Sequence, residues 1–312
     1  MKLQRLEFTL TTRCNSQCIH CQADASPMKS DVMNVEDAYN YLTETAAVSK
    51  LKSFMIFGGE PMLYPERAIA IIKKAHQLRI PKIEMITNGA WGRNNEAAEE
   101  LAVRLKTVGL SCIHISADAF HVQYVPIEYS RNAALASLKA GIENVTWNVA
   151  VIESINATNE YDNETAKVLK ELQPIGIDVH AVKIVPAGRA IHNLYHYFQP
   201  ASLHGPCKGE PLEGNTLRDP ESICVEPSGA ACVCWNLPIG NAKNVPLRRL
   251  ITEYEWQRNP ITRILVKEGP IGLLGLPEAS SFQFQEKQYI NKCHLCIEIR
   301  RALKPYYPNA YS

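Results

Sequence analysis

Three cysteines, Cys14, Cys18 and Cys21, lie close together in a C-x3-C-x2-C run, with His20 just before the last. Four thiolates close the shell of a zinc ion or of a cubane iron–sulfur cluster. Three leave one iron of a [4Fe–4S] cluster open, and an open metal position is where chemistry happens. A second set, Cys207, Cys224, Cys232, Cys234, Cys293 and Cys296, lies beyond residue 200. In it, Cys293 and Cys296 form a C-x2-C pair, a spacing that lets two thiolates converge from one tight turn. Alone, that pair suits zinc or redox chemistry.

Four further stretches carry polar groups at the ends of apolar runs. Gly58-Gly59-Glu60-Pro61 offers a backbone that comes close to a ligand and then turns. Thr87-Asn88-Gly89 reads as a turn in which Gly89 takes positive φ. In Ser116-Ala117-Asp118-Ala119-Phe120-His121, three polar side chains surround an aromatic. Asp118 and His121 there suit substrate binding or proton transfer, or a capping Asp beside a satisfied His. Arg189, in Pro186-Ala187-Gly188-Arg189-Ala190, suits a carboxylate clamp or a structural ion pair.

These groups need a scaffold, and the patterning supplies one. Short β-rich runs at residues 6–10, 53–57, 83–87, 112–116, 145–151 and 179–185 alternate with helical patterns. Ala68, Ile71, Ile72, Ala75 and Leu78 share one helix face. Ala98, Leu101, Ala102, Leu105 and Val108 share another, and Ala134, Leu135, Leu138 and Ile142 a third. Strand–helix alternation predicts an α/β fold with a parallel sheet, two units short of an eight-fold barrel. The Cys14–Cys18–Cys21 loop follows the first strand, at the carboxyl edge where such sheets place ligands. Past Ala187, Pro and Gly become frequent, as at Gly205, Pro206, Gly209, Pro211, Gly214 and Pro220. Residues 223–226 and 230–234 read as a hairpin, residues 247–256, 261–266 and 297–303 as helices, and residues 282–288 as a loop or edge element.

Composition narrows the class. The chain has 312 residues, 46% of them hydrophobic, and a net charge of +1. Nothing in that balance favours nucleic acid or an anionic membrane. No apolar run is long enough to span a bilayer, and residues 1–3 lead straight into a strand pattern with no signal peptide. Ten cysteines in tight clusters favour metal binding in a reducing cytoplasm over disulfides.

The C-x3-C-x2-C run, followed in order by the other motifs, resembles the radical S-adenosylmethionine (radical SAM) enzymes. The resemblance implies a partial (β/α)6 TIM barrel over residues 1–200. Cys14, Cys18 and Cys21 would hold a [4Fe–4S] cluster whose open iron is chelated by S-adenosylmethionine. Gly58, Gly59, Glu60, Asn88, Ser116 and Arg189 would bind that cofactor. Residues 201–312 resemble the SPASM/twitch extension, matched by Cys207-Lys208-Gly209, by the Gly229–Cys234 hairpin, by Cys234 with Gly240-Asn241, and by the late C-x2-C. That implies one auxiliary [4Fe–4S] cluster on Cys207, Cys234, Cys293 and Cys296. Cys112 is expected in the core, and the absence of cysteine after Cys296 speaks against a second auxiliary cluster.

Enzymes of this architecture commonly modify ribosomally made peptides. The Ser116–His121 stretch looks like that of peptide epimerases. The expected function is therefore hydrogen abstraction from a peptide by a 5′-deoxyadenosyl radical, giving epimerisation or a cross-link. Asp118, His121 and Cys232 are the expected catalytic groups, Cys232 being a hydrogen donor, a cluster ligand or a buried thiol. Expected partners are the peptide and an electron donor such as flavodoxin or ferredoxin. No separate leader-binding domain precedes the first strand, so a leader would dock on the barrel or the C-terminal region. Two alternatives stand beside this reading: a dehydrogenase of a small amino sugar or alcohol, and a non-catalytic zinc-ribbon binding protein.

Overall fold

The computed structural model describes residues 1–208 and 216–307. Gly209, Pro211 and Gly214 lie outside the described residues.

The first strand, β1 (Arg5–Thr11), sets the plan. Its alternation sends Leu6, Phe8 and Leu10, none of them exposed, to the helix side. Phe8 meets Tyr41 of α1 (Val35–Val48) and Phe54 of β2 (Ser53–Gly58) edge-on, with ring centroids 6.2 and 5.0 Å away. Each such buried side chain contributes about 2 kcal/mol. Asn34 caps α1, accepting from the Glu36 and Asp37 amides.

The alternation continues through α2 (Pro65–Gln77), β3 (Lys82–Thr87), α3 (Asn95–Thr107), β4 (Cys112–Ser116), α4 (Ile127–Lys139), β5 (Asn144–Val151), α5 (Glu160–Leu172), β6 (Asp178–Lys183) and the short α6 (Ala190–Asn193). All six predicted strands form; β6 stops at Lys183, before the expected 185. Ala68, Ile71, Ile72 and Ala75 bury the face of α2 as the spacing requires, and Cys112 is in the core.

The predicted face of α4 is half right, since Ala134 and Ile142 are buried. Leu135 and Leu138 are exposed, whereas Ser130, Ala133, Ala134, Ala136 and Ser137 are buried. Small side chains let α4 lie close on its neighbours. A Cβ on Gly92 would fall 2.0 Å from the Tyr129 carbonyl, and Ala136 packs with Ala98 and Ala102 of α3.

The strand order is β6-β5-β4-β3-β2-β1-β7-β8-β9, an open sheet of nine strands. Strands β1 to β6 and β7 (Ser222–Val225) run parallel, as a partial barrel. The hairpin of β7 and β8 (Ala230–Cys234) forms where the turn residues place it, and β9 (Leu237–Asn241) follows. Because β7 pairs with β1, Phe8 opposite Val225, the cysteine-rich region continues the barrel's own sheet. Beyond it lie α7 (Leu247–Thr252), shorter than expected, α8 (Pro260–Lys267) and α9 (Lys292–Leu303). Among the described residues no helix is long and apolar enough to cross a membrane.

Candidate active site

Cys14, Cys18 and Cys21 come together in the loop after β1, around a cavity of about 130 Å³. Ser16, His20, Gly58, Gly59, Asn88, Ser116, His121 and Arg189 also line it. A larger cavity, about 450 Å³, opens beside α7 and α8, but it is lined by no cysteine or histidine. Burial pushes the Cys14 thiol up to about 11, and the charges of Glu60 and Cys21 add to the effect. Burial pushes Cys18 up as well, helped by the charges of Asp118, Cys14 and Cys21. Cys14 and Cys18, whose ionisation burial and neighbouring charge oppose, stand beside Cys21 as a donor set that a cationic centre relieves. Among the described residues, no three Cys, His, Asp or Glu side chains sit tightly enough for a single metal ion. The three thiols line a common cavity, and Ser16 Oγ and His20 Nδ1 are buried beside them without partners.

The glycines that end β2 work against the cysteine loop. A Cβ on Gly59 would lie 1.9 Å from the Arg13 carbonyl oxygen, and one on Gly58, whose φ is +140°, 2.5 Å from that of Thr11. In their place, the Gly59 amide donates to Thr11 at 2.7 Å and the Glu60 amide to Arg13 at 2.9 Å. The close approach expected toward a ligand is thus made first to the backbone that carries Cys14. Both glycines also border the cavity.

Glu60 does not line that cavity. Its buried carboxylate accepts from the Met62 amide at 2.9 Å, Thr87 Oγ1 at 2.7 Å and the Asn88 amide at 2.7 Å. It thereby fastens the end of β2 to the end of β3. Asn88 does line it: its side-chain amide donates to Asn15 Oδ1 at 2.8 Å and lies 3.8 Å from Cys14 Sγ. Gly89 takes φ +76°, as expected of the turn.

Ser116 lines the cavity at the end of β4, and His121 lines it from the following turn. Asp118 is fully buried behind them. Its Oδ1 accepts from the Phe120 and His121 amides and from His121 Nδ1 at 2.8 Å, and its Oδ2 from the Ala150 amide at 2.8 Å. Burial opposes its ionisation, but the His121 charge and hydrogen bond outweigh that and hold the carboxyl at about 2. In turn, burial disfavours the His121 cation, yet the Asp118 charge and hydrogen bond raise its pKa. With Nδ1 held by Asp118, His121 keeps Nε2 for the cavity. His20 packs on Phe120 and His121, with centroids 4.5 and 5.0 Å away, and burial with the His121 charge pushes its pKa down to about 3.

Arg189 borders the cavity but is committed to the cysteine loop. Its Nε donates to the Cys18 carbonyl at 3.0 Å, and its two terminal nitrogens reach Asp24 at 2.8 Å and the Ala25 carbonyl at 2.6 Å. Of the two roles expected for Arg189, the structural ion pair forms, with Asp24. Sequence reasoning missed Asp24, Asn15 and Thr87, short polar residues whose partners are distant in the chain.

The C-x2-C pair sits in the first two turns of α9, not in a tight loop, so Cys293 and Cys296 share a helix face. Arg300 donates to Cys296 Sγ at 3.2 Å and to the Trp235 carbonyl at 2.6 Å, docking α9 beside the strand end that carries Cys234. On the other side, Lys292 reaches the Pro206 carbonyl at 3.4 Å, and the Cys207 amide donates to Leu265 of α8. The start of α9 thus lies near the residue before Cys207, and its later turns near the residue after Cys234. Cys232 is buried 3.9 Å from Glu226 Oε1, and Cys224, opposite it in register, lies 3.5 Å from Thr9 Oγ1. Neither lines the Cys14 cavity.

Residues 8–185 match the Radical SAM superfamily. The chain is 25% identical over 214 residues to the putative peptide biosynthesis protein YydG of Bacillus subtilis, a match covering 64% of this chain and 63% of that protein. It is 26% identical over 218 residues to a probable GTP 3′,8-cyclase of Aeropyrum pernix, covering 64% and 56%. The chain thus spans less than two thirds of either relative. Among solved structures, anSMEcpe with bound AdoMet superposes with a TM-score of 0.52 at 13% identity, over 98% of this chain and 96% of that one.

Proposed function

The chain belongs to the radical SAM superfamily, and from that premise we propose that it abstracts hydrogen from a ribosomally made peptide, leading to epimerisation or a cross-link. The observation that carries the reading is the convergence of Cys14, Cys18 and Cys21 on one cavity at the carboxyl end of a partial barrel. When bound there, S-adenosylmethionine on a three-thiolate [4Fe–4S] cluster supplies a 5′-deoxyadenosyl radical on one-electron reduction. The three cysteines would hold the irons, and Asn88 and Ser116, which line the same cavity, would face the cofactor. Glu60, Gly59 and Arg189 fix the loop. His121, oriented by Asp118, is placed to hold or move a proton at Nε2. The zinc-ribbon alternative does not account for the family membership.

The peptide substrate is supported by the likeness to YydG. A small-molecule dehydrogenase is the second reading, favoured by the Asp118–His121 pair, since oxidation releases a proton that needs an acceptor. An auxiliary cluster on Cys207, Cys234, Cys293 and Cys296 and a flavodoxin- or ferredoxin-type donor complete the proposal.

The test is anaerobic reconstitution followed by assay for 5′-deoxyadenosine. Cys14→Ala, Cys18→Ala and Cys21→Ala are each expected to abolish its formation. Parent-level formation in any of them would overturn the assignment. Incubation of short peptides encoded beside the gene, in heavy water, then separates the outcomes. Epimerisation leaves deuterium on the peptide, and cross-linking removes hydrogen.

A further inference from the structure

Strand β6 ends one side of the sheet and, among the described residues, pairs with β5 alone. Asp178, Val179, His180, Ala181 and Lys183 are exposed, and Val182 is partly exposed. A strand enclosed in a barrel would hide alternate residues, so the sheet is open on both sides here.

The phase of the ladder fixes which backbone groups are left over. The Ile184 amide donates to the Val151 carbonyl of β5 at 2.8 Å. Parallel pairing alternates, so Val182, His180 and Asp178 also turn their backbone groups to β5. Val179, Ala181 and Lys183 point theirs away from the sheet, and among the described residues no strand pairs with that edge. The carboxyl end of this edge leads to the cavity. Ile184 packs with Cys18 and Phe120, Tyr161 and Tyr197 lie against them, and Arg189 lines the cavity itself.

We propose that an extended peptide segment pairs with the outer edge of β6, as an added strand, and so leads substrate into the cavity. The proposal rests on the peptide-substrate reading and names how that peptide is held. Backbone pairing at Val179, Ala181 and Lys183 supplies binding that tolerates many sequences. About six peptide residues cover the strand at roughly 3.3 Å each. A second copy of the chain fits less well. Val179, 42% exposed, is the strand's one exposed large apolar side chain, and a stable dimer needs about 1,000 Å² of well-packed contact. A peptide that continues into the cavity adds contacts there.

The experiment uses the reconstituted full chain and a phage-displayed library of random twelve-residue peptides. Enriched peptides are synthesised, and hydrogen–deuterium exchange is measured with and without them. Protection of residues 178–183 is expected. Ala181→Pro, which removes one outward amide, is expected to weaken binding several-fold, up to about tenfold. Val179→Pro checks this should Ala181→Pro misfold, and exchange on the parent chain needs no variant. Peptides that bind but protect other segments overturn the edge assignment and leave the peptide reading intact. Protection of the same amides by rising protein concentration alone overturns it in favour of self-association. Failure to enrich any peptide over a control protein overturns the peptide reading and this inference with it.

Discussion

Arg189 and Cys18 are joined across 171 residues: the guanidinium Nε donates to the Cys18 carbonyl at 3.0 Å. The same side chain holds Asp24 and Ala25, and the Arg189 amide donates to Cys21. The turn after β6 therefore clasps the cysteine loop from outside. Gly188, with φ +55°, permits this, because a Cβ there would fall 2.5 Å from the Cys21 carbonyl.

Loss of that clasp loosens the loop. Arg189→Ala is expected to lower stability by about 1–3 kcal/mol, since hydrogen bonds from a charged donor are the stronger kind. Iron incorporation should fall with it, while the circular dichroism spectrum stays that of the parent. A variant with full iron and an unshifted melting curve would show that the loop holds itself.

Gly59→Ala tests the seam between β2 and the loop. Its Cβ has nowhere to go except into the Arg13 carbonyl, 1.9 Å away. Backbone must move, at a cost of about 3 kcal/mol or more. Reconstituted protein should lose the iron of the Cys14 site before it loses the fold, as read by iron analysis beside thermal melting.

The Asp118–His121 pair gives a pH signature. His121 has its pKa raised, so its contribution is full below the ordinary histidine value and disappears as pH rises through the raised one. Asp118 is held down near 2, so its contribution is present above the ordinary carboxylate value and is lost as pH falls toward 2. The pair therefore stabilises most between about pH 4 and 6.5. Asp118→Asn should flatten the stability profile in that window and lower the His121 titration midpoint, measured by NMR. Asp118→Ala, which leaves the Phe120, His121 and Ala150 amides and the His121 ring without their acceptor, should cost about 3–5 kcal/mol.

The C-terminal cysteines are checked by counting iron. Cys293→Ala and Cys296→Ala together should take the content from about eight to four per chain, two cubane clusters against one. Cys232→Ala separates three roles. Iron falling to about four makes it a ligand, unchanged iron with stalled or altered product a hydrogen donor, and no change a packing residue.

Much of this was legible in the residues. Short β-rich runs marked all six barrel strands, and the turn at Pro227-Ser228-Gly229 marked the hairpin. The face of α2 followed from Ala68, Ile71, Ile72 and Ala75. The helices α1 and α5 were not singled out, although Asn34 and Asn159 stand as caps and Ala38, Tyr41, Leu42 and Thr45 keep the helical period. On α4, Leu135 and Leu138 misled, because apolar character says nothing about how close a neighbour must come. The motifs marked Glu60 and Arg189 as cofactor-binding candidates, but their partners within the chain, Thr87 and Cys18, are decided by strands that meet only in the folded sheet. The addition of β7 to β1 is of the same kind, since no local pattern encodes a parallel pairing over two hundred residues apart.

The position of β1 between β2 and β7 has a consequence during synthesis. β2 emerges soon after β1, but the other neighbour comes roughly 210 residues later, about 10–40 s at ordinary rates of translation. Throughout that interval β1 presents a bare, apolar-flanked edge to the crowded exterior. The nascent chain is thus most prone to faulty pairing before residues 222–225 arrive. Slower translation between β6 and β7 should raise the share of insoluble product, even though every residue of the cysteine loop has already been made.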